Sequence, residues 1–226
     1  AFLHKVSQDS FLIQGSQFQL WINLAGVCST SVVERFERKP PKAIVIGGCS
    51  ASGKTSLVET FKRKYPSIFL QDVAYTTRQK RPTEIDGVHY HFVDDEFFIK
   101  AQQSIEFFNF VEARGKWYWK SLRSEMKLIH DNLDGVHLSF SSQEYDITQK
   151  KVLFPNLKRV WIEVPWETLV LRLSKAKDRD LQSTLAYNRK LVDELDYSKI
   201  DLVLHNDAGA NLDELVDTLW NFLQTL

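Results

Sequence analysis

Cysteine, net charge and long apolar runs are scarce in this 226-residue chain, and each shortage excludes a class of protein. Its two cysteines, Cys28 and Cys49, have neither metal-ligand spacing nor the pattern of a disulfide framework, which points to a reducing, cytoplasmic setting. Basic and acidic residues number 29 each, so no overall field draws the chain to nucleic acid or to an anionic membrane. Ser10 to Val33 carries no charge, yet Gln14, Gln17, Gln19 and Asn23 interrupt it, so neither a signal segment nor a membrane span is expected. The histidines show no H-E-x-x-H spacing and no G-x-S-x-G elbow occurs, which argues against a protein-built metal centre and against a hydrolase. Internal repeats and low-complexity tracts are absent as well.

What is present suits one α/β domain with extra sequence: 43% of residues are apolar, enough to fill a core at this length. The charged, proline-paired stretch Arg35 to Lys42 reads as a boundary, because its prolines continue neither helix nor sheet. Residues 1–40 are therefore an N-terminal extension with a linker, its role open and a protein partner one use for it, and 41–226 the main domain. Within the extension, Phe11 to Ala25 alternates imperfectly between apolar and polar residues, as a strand pair does.

Residues Lys42 to Thr55, KAIVIGGCSASGKT, run a short apolar strand straight into G-x-x-x-x-G-K-[ST]. That order is a phosphate-binding loop. Gly48 and Gly53 permit a turn that aims successive backbone N–H groups at phosphate, and the helix opening at Lys54 adds the positive end of its dipole. Lys54 is expected to reach the β and γ phosphates of ATP and Thr55 to place its hydroxyl on Mg²⁺, with Gly48, Ser50, Ser52 and Gly53 lining the nucleotide.

Downstream, strand patterns at His89 to Phe92, Gly135 to Phe140, Arg159 to Val164 and Ile200 to Leu204 alternate with helical ones. The helices are expected from Lys54 to about Lys64, at Glu96 to Gln102, Ser121 to His130 and Trp166 to Ser174, after the turn Lys175 to Asp180 as far as about Tyr197, and from Asn211. Phe107 to Glu112 and Lys116 to Trp119 flank Arg114-Gly115 as a hairpin. Such alternation predicts an α/β, P-loop NTPase fold: a mainly parallel sheet with helices on both faces and the ligand at the carboxyl ends of the strands.

The segment Thr76 to Phe92 sets Arg78 and Arg81 three apart, then Glu84, then Tyr90. Two guanidinium forks suit a phosphate dianion, Glu84 can hold a fork in place, and Tyr90 can donate its hydroxyl. An isolated R-x-x-R reads instead as a solvated basic turn. With the phosphate loop upstream, the order resembles guanylate kinases over about Lys42 to Leu226, most closely in Gly48 to Thr55, Thr76 to Phe92, Arg114 to Tyr118 and Asp201 to Asp207. The resemblance implies a nucleoside monophosphate kinase using ATP and Mg²⁺, with a small β insertion for the acceptor and a lid. It assigns the acceptor phosphate to Arg78, Arg81, Tyr90 and Tyr118 and places Asn206 near adenine. The lid is altered: Arg179 and Arg189 are the candidates for neutralising the transferring phosphoryl group, although exposed charges on a loop and helix are commonly just solvated.

Departures from the family collect where guanine is read. Ala74 stands for a serine, Asn109 for a glutamate in an ungapped hairpin (Glu112 if the loop is shortened), Trp119 and Lys120 for a glycine and a hydroxyl, and Ser141 for an acid. Weak selection of GMP follows, with Trp119 adding bulk at the pocket rim and Asp72 as a stand-in acid. Kinases of ribose bisphosphate, and membrane-associated guanylate kinase scaffolds that hold phosphorylated peptides, share a pocket of this kind. The intact phosphate loop favours an enzyme that binds ATP.

Overall fold

The computed structural model describes residues 2–7, 10–14, 19–23, 42–66, 68–82, 84–104, 106–132, 135–176 and 180–226. Two compact units divide the chain: Ala1–Lys42, Leu70–His137 and Tyr145–Leu157 form one, and Ala43–Phe69, Leu138–Glu144 and Lys158–Leu226 the other. The strands are β1 (Phe2–Ser7), β2 (Ser10–Gln14), β3 (Gln19–Asn23), β4 (Lys42–Gly48), β5 (Phe69–Leu70), β6 (Tyr75–Thr76), β7 (His91–Phe92), β8 (Phe107–Ala113), β9 (Lys116–Ser121), β10 (Val136–Phe140), β11 (Lys158–Glu163) and β12 (Leu202–His205). The described α-helices are α1 (Lys54–Lys64), α2 (Asp95–Gln102), α3 (Leu122–Asp131), α4 (Glu144–Leu153), α5 (Trp166–Ser174), α6 (Leu181–Asp193) and α7 (Leu212–Gln224). Among them none is long and apolar enough to cross a membrane.

In the extension, β2 and β3 pair antiparallel as the alternation predicts, and β1 joins them as a third strand. The proline-paired boundary up to residue 41 lies outside the described residues, and Lys42 already belongs to β4.

The expected α/β architecture is present. Its sheet runs β12-β11-β4-β10-β5, and β11 pairs parallel with both β4 and β12. Ala43 to Ile46 are all buried, as a central strand covered on both faces requires. The chain leaves β4 for β5 at the sheet edge and later returns to β10 and β11 on either side of β4. Strand order therefore reverses at β4, and the loop beginning at Gly48 stands at that switch point. Leu57, Val58 and Phe61 bury the inner stripe of α1, and Val216, Leu219 and Leu223 that of α7. Phe61 meets Phe69 at 4.3 Å between ring centroids, and Tyr65 stacks on Trp220 at 4.4 Å.

A second sheet, β7-β6-β9-β8, carries the Thr76 to Phe92 segment. Its core is Phe98 and Ala101 from α2 with Trp119 from β9, ringed by Tyr75, Phe107, Phe110 and Trp117. Trp119, 1% exposed, is thus a core side chain and the expectation that it crowds a pocket rim is overturned. Strand alternation explains it: Trp117 and Trp119 share the face packed on α2, which leaves Tyr118 and Lys120 for the other.

Several elements differ from the sequence pattern. The strand at His89 shortens to His91–Phe92, because His89 and Val88 donate to Ile85 and Gly87 donates to Tyr90, closing a turn. The helix expected as far as Tyr197 ends at Asp193, and Tyr197–Lys199 forms a separate 3₁₀ turn capped by Asp196. Helix α4 is not foreshadowed at all, since its buried Ile147 has a lysine, Lys150, as its buried partner one turn on, which breaks the apolar period.

Trp119→Ala should lower the unfolding free energy by about 3–5 kcal/mol, the range for emptying a buried aromatic site. Urea titration followed by circular dichroism checks it, and a rim position would leave the midpoint unmoved.

Candidate active site

Between β4 and α1 every loop carbonyl from Gly48 to Gly53 is engaged. Gly48 O accepts from Lys54 Nζ at 2.7 Å and Ser142 Oγ at 3.2 Å, and Cys49 O from Lys54 Nζ at 2.8 Å and Ser52 N at 3.1 Å. Ser50 O, Ala51 O and Ser52 O accept in turn from Asn188 Nδ2 (3.2 Å), Arg172 Nη1 (3.3 Å) and Asn206 Nδ2 (2.7 Å). Gly53 O receives Leu57 N at 2.9 Å as the first helical bond of α1. The amides of Ala51, Gly53 and Thr55 donate to no other protein group among the described residues, which leaves them available to an anion at the helix start. Gly53 has φ 94°, and a Cβ there would lie 2.4 Å from Asn206 Nδ2, so the glycine is required twice over.

Ser50 thus enters the loop through its backbone, and Ser52 also through its hydroxyl, which accepts from Lys54 Nζ at 3.4 Å, while Thr55 is exposed on the first turn of α1. Asn206 is buried and spends its carboxamide on Ser52 O, and Arg172 also donates to the carbonyls of Asn206 and Asp207. Arg189 lies with its guanidinium over the Trp166 ring at 4.1 Å, and it is the preceding residue, Asn188, that reaches the loop. Arg179 lies outside the described residues. Burial raises the pKa of the Cys49 thiol against the pull of Lys54, so this loop cysteine is a packing group beside Trp161 and Leu169. The described residues hold no cluster of three or more His, Cys, Asp or Glu fit for a metal. Magnesium needs none: one hydroxyl such as that of Thr55, with waters and phosphate oxygens, meets its preference.

In the other unit, Glu84 takes both Nη groups of Arg78, at 2.7 and 2.9 Å. It also accepts from Arg81 N at 2.8 Å and lies 3.7 Å from Arg81 Nη1. The Arg78 guanidinium sits 5.4 Å from the centroids of both Tyr90 and Phe92, within hydrogen-bonding reach of Tyr118, and Tyr90 meets Tyr118 edge to face at 5.8 Å. Arg78, Arg81, Glu84, Tyr90 and Tyr118 are therefore gathered in space. Burial alone would raise the Glu84 carboxyl, but the Arg78 and Arg81 donors outweigh it and hold the pKa below its ordinary value. The Arg78 side chain, 14% exposed, is no solvated turn. Thr76 and Thr77 fix the segment by bonding Trp117 O and Trp117 N through their hydroxyls.

A phosphate loop at a switch point and an arginine cluster on a small sheet agree with what comparison finds: the family model described as guanylate kinase matches residues 40–226. This chain belongs to the guanylate kinase family. A protein named guanylate kinase from Chlamydia felis is 29% identical over 192 residues, covering 80% of this chain and 87% of that one. Another from Aromatoleum aromaticum is 32% identical over 184 residues, covering 78% and 86%. A crystal structure of guanylate kinase from Anaplasma phagocytophilum shares the fold, with a TM-score of 0.60 at 20% identity over 82% of this chain and 85% of that chain.

Of the positions expected to depart from the family pattern, Lys120 and Ser141 are bonded within the protein. Lys120 and Glu125 form a buried ion pair at 2.7 Å. Asp72 lies in their field, its pKa pushed to about 6 by burial against the pull of Lys120, and its Oδ2 has no hydrogen-bond partner. Asn109 occupies a bulge at φ 62°, buried with Oδ1 unpartnered, whereas Glu112 is exposed on the ladder opposite Trp117. Ser141 donates its amide to Ile46 O and accepts Gln143 N on its hydroxyl. Sequence reasoning missed Arg172, Asn188 and Ser142, none of which falls in a recognisable motif; a polar side chain inside a helix pattern, as at Asn188, was the one available signal.

His137, behind the Lys120–Glu125 pair, is buried with both nitrogens unpartnered, and burial lowers its pKa from 6.5 to about 4. A depressed folded-state value contributes stability that is present above pH 6.5 and lost as pH falls toward 4. Asp72 acts oppositely: raised from 3.8 to about 6, it favours the folded state as pH falls through that window. His137→Phe should therefore gain on the parent as pH drops below 6.5, whereas Asp72→Asn should be the more stable above pH 6 and lose that advantage as pH drops toward 3.8. Thermal midpoints across this range, compared at fixed ionic strength, check both signs.

Proposed function

We propose that this chain catalyses transfer of the γ-phosphoryl group of ATP to a nucleoside monophosphate of the GMP kind, in a cytoplasmic setting, with 41–226 as the kinase domain and 1–40 as an extension open to a protein partner. The observation that supports it most is the phosphate loop, whose carbonyls are all bonded away from its free amides and which keeps Lys54 and Thr55. In the reaction an acceptor phosphate oxygen attacks the γ phosphorus, the bond from γ phosphorus to the bridging oxygen breaks, and ADP leaves with that electron pair. Little covalent chemistry falls to the protein, so its contribution is alignment and charge stabilisation. Lys54 and the loop amides hold the β and γ phosphates; Arg78, Arg81, Tyr90 and Tyr118 hold the acceptor phosphate, with Glu84 orienting the guanidinium of Arg78. Thr55 would hold Mg²⁺, which when bound would supply neutralisation of developing charge. Arg189, and Arg179 from the lid, are the candidates for supplying further positive charge.

Phosphate contacts bind every nucleoside monophosphate alike and cannot tell bases apart. Ala74 and Ser141 offer the base less than the family pattern does, and Lys120 is already paired with Glu125, so base discrimination is weak.

MgATP should raise the thermal midpoint of the parent by mass action. Lys54→Ala should lose most of that shift, while Arg81→Lys should retain it and lose affinity for GMP, since an ammonium cannot reproduce a bidentate fork. A parent midpoint unmoved by MgATP would sink the enzyme reading and leave a scaffold for a phosphorylated partner.

Specificity constants for GMP and AMP, measured side by side, should differ by far less than the roughly 10⁴-fold that a fully hydrogen-bonded base site achieves. A ratio at or above that value would show that the base is read by groups other than those lost.

A further inference from the structure

Asn188 stands in the interior of α6, where asparagine is a poor helix former, and none of it is exposed. Its carboxamide holds both backbone polar groups of Ser50: Ser50 N donates to Oδ1 at 2.8 Å, and Nδ2 donates to Ser50 O at 3.2 Å. The backbone carbonyl of Asn188 lies 3.8 Å from Cys49 Sγ, which donates to it. Two loop residues earlier, Ser142 Oγ performs the same service for Gly48, accepting from its N–H at 3.0 Å and donating to its carbonyl at 3.2 Å. The peptides on both sides of Cys49 are thus set from outside the loop. Downstream, Arg172 and Asn206 take the next two carbonyls. A side chain with a donor and an acceptor at one end is needed to satisfy Ser50, and leaving either group buried and unmatched is costly.

We propose that Asn188 is a positioning residue for ATP: without touching the nucleotide it fixes the peptides at Ser50, so that the amides of Ala51, Gly53 and Thr55 converge on phosphate. Nucleotide affinity is thereby tied to the seating of α6 on the loop. The proposal rests on the ATP-binding reading above.

Asn188→Asp isolates the hydrogen bonds from the packing, because the two side chains have the same shape. A protonated carboxyl carries one donor and one acceptor and copies the carboxamide; the carboxylate only accepts, turns a lone pair on Ser50 O and adds negative charge near bound phosphates. Calorimetric titration with MgATP should find Asn188→Asp weaker than the parent by about tenfold or more near pH ~8.5, and by only about twofold near pH ~6, where burial favours the neutral carboxyl. Asn188→Ala, which lacks both groups, should be weak at both pH values, while GMP affinity of each variant stays at the parent value. A ratio of Asn188→Asp to parent that does not change with pH overturns the proposal, as does parent-like MgATP affinity in Asn188→Ala. Should Asn188→Asp be unfolded at the higher pH by circular dichroism, the alanine variant, a better helix former, decides the matter alone. Failure of the parent to bind MgATP overturns the ATP-binding reading together with the proposal, whereas a binding parent with unaffected variants overturns the proposal alone.

Discussion

A backbone that must present several N–H groups to an anion has to dispose of its carbonyls elsewhere, and that constraint organises the phosphate-loop unit. A buried carbonyl left unmatched costs as much as a lost hydrogen bond, so the loop is stable only if each oxygen is met, several of them by side chains from other elements. Here Ser142 follows β10, Arg172 projects from α5, Asn188 from α6 and Asn206 from the end of β12. The parallel strands bring those elements to the end of β4, and the loop's anion-binding character follows from what they supply. Gly53 adds a steric condition, since Asn206 occupies the space a Cβ would need.

The arginine cluster solves a related problem with charge. A guanidinium on a flexible stem has much rotamer freedom, and Glu84 removes much of it by taking both Nη groups of Arg78. The aromatic rings of Tyr90 and Phe92 flank the same guanidinium. Because Glu84 is also bonded to the backbone of Arg81, the second arginine is placed by the same carboxylate.

Lys120 and Glu125 depend on each other. Lys120 alone would be a buried, unpaired ammonium, which proteins rarely tolerate; Glu125 makes it tenable, and the two together shape the field at Asp72 and His137. Such a pair is weak evidence for added stability.

By itself the sequence determined the local chemistry that contiguous residues carry. The strand, glycine spacing, Lys54 and Thr55 announce a phosphate loop, and the short spacing of Arg78, Arg81, Glu84 and Tyr90 foreshadows the cluster they form, because each depends on neighbours a few residues away. Most helices and the longer strands of the main domain were legible for the same reason, whereas the two-residue strands β5 and β6 were not, nor was α4, where Lys150 fills a buried turn that the apolar period would assign to a hydrophobe. Only the tertiary structure decided which distant side chains serve the loop: Arg172, Asn188 and Ser142 lie 121, 138 and 94 residues from the atoms they bond, and no short-range pattern encodes such a pairing. It also decided that Trp119 belongs to the core and that Lys120 is spent on Glu125, since both outcomes turn on which face of β9 meets which neighbour across the fold.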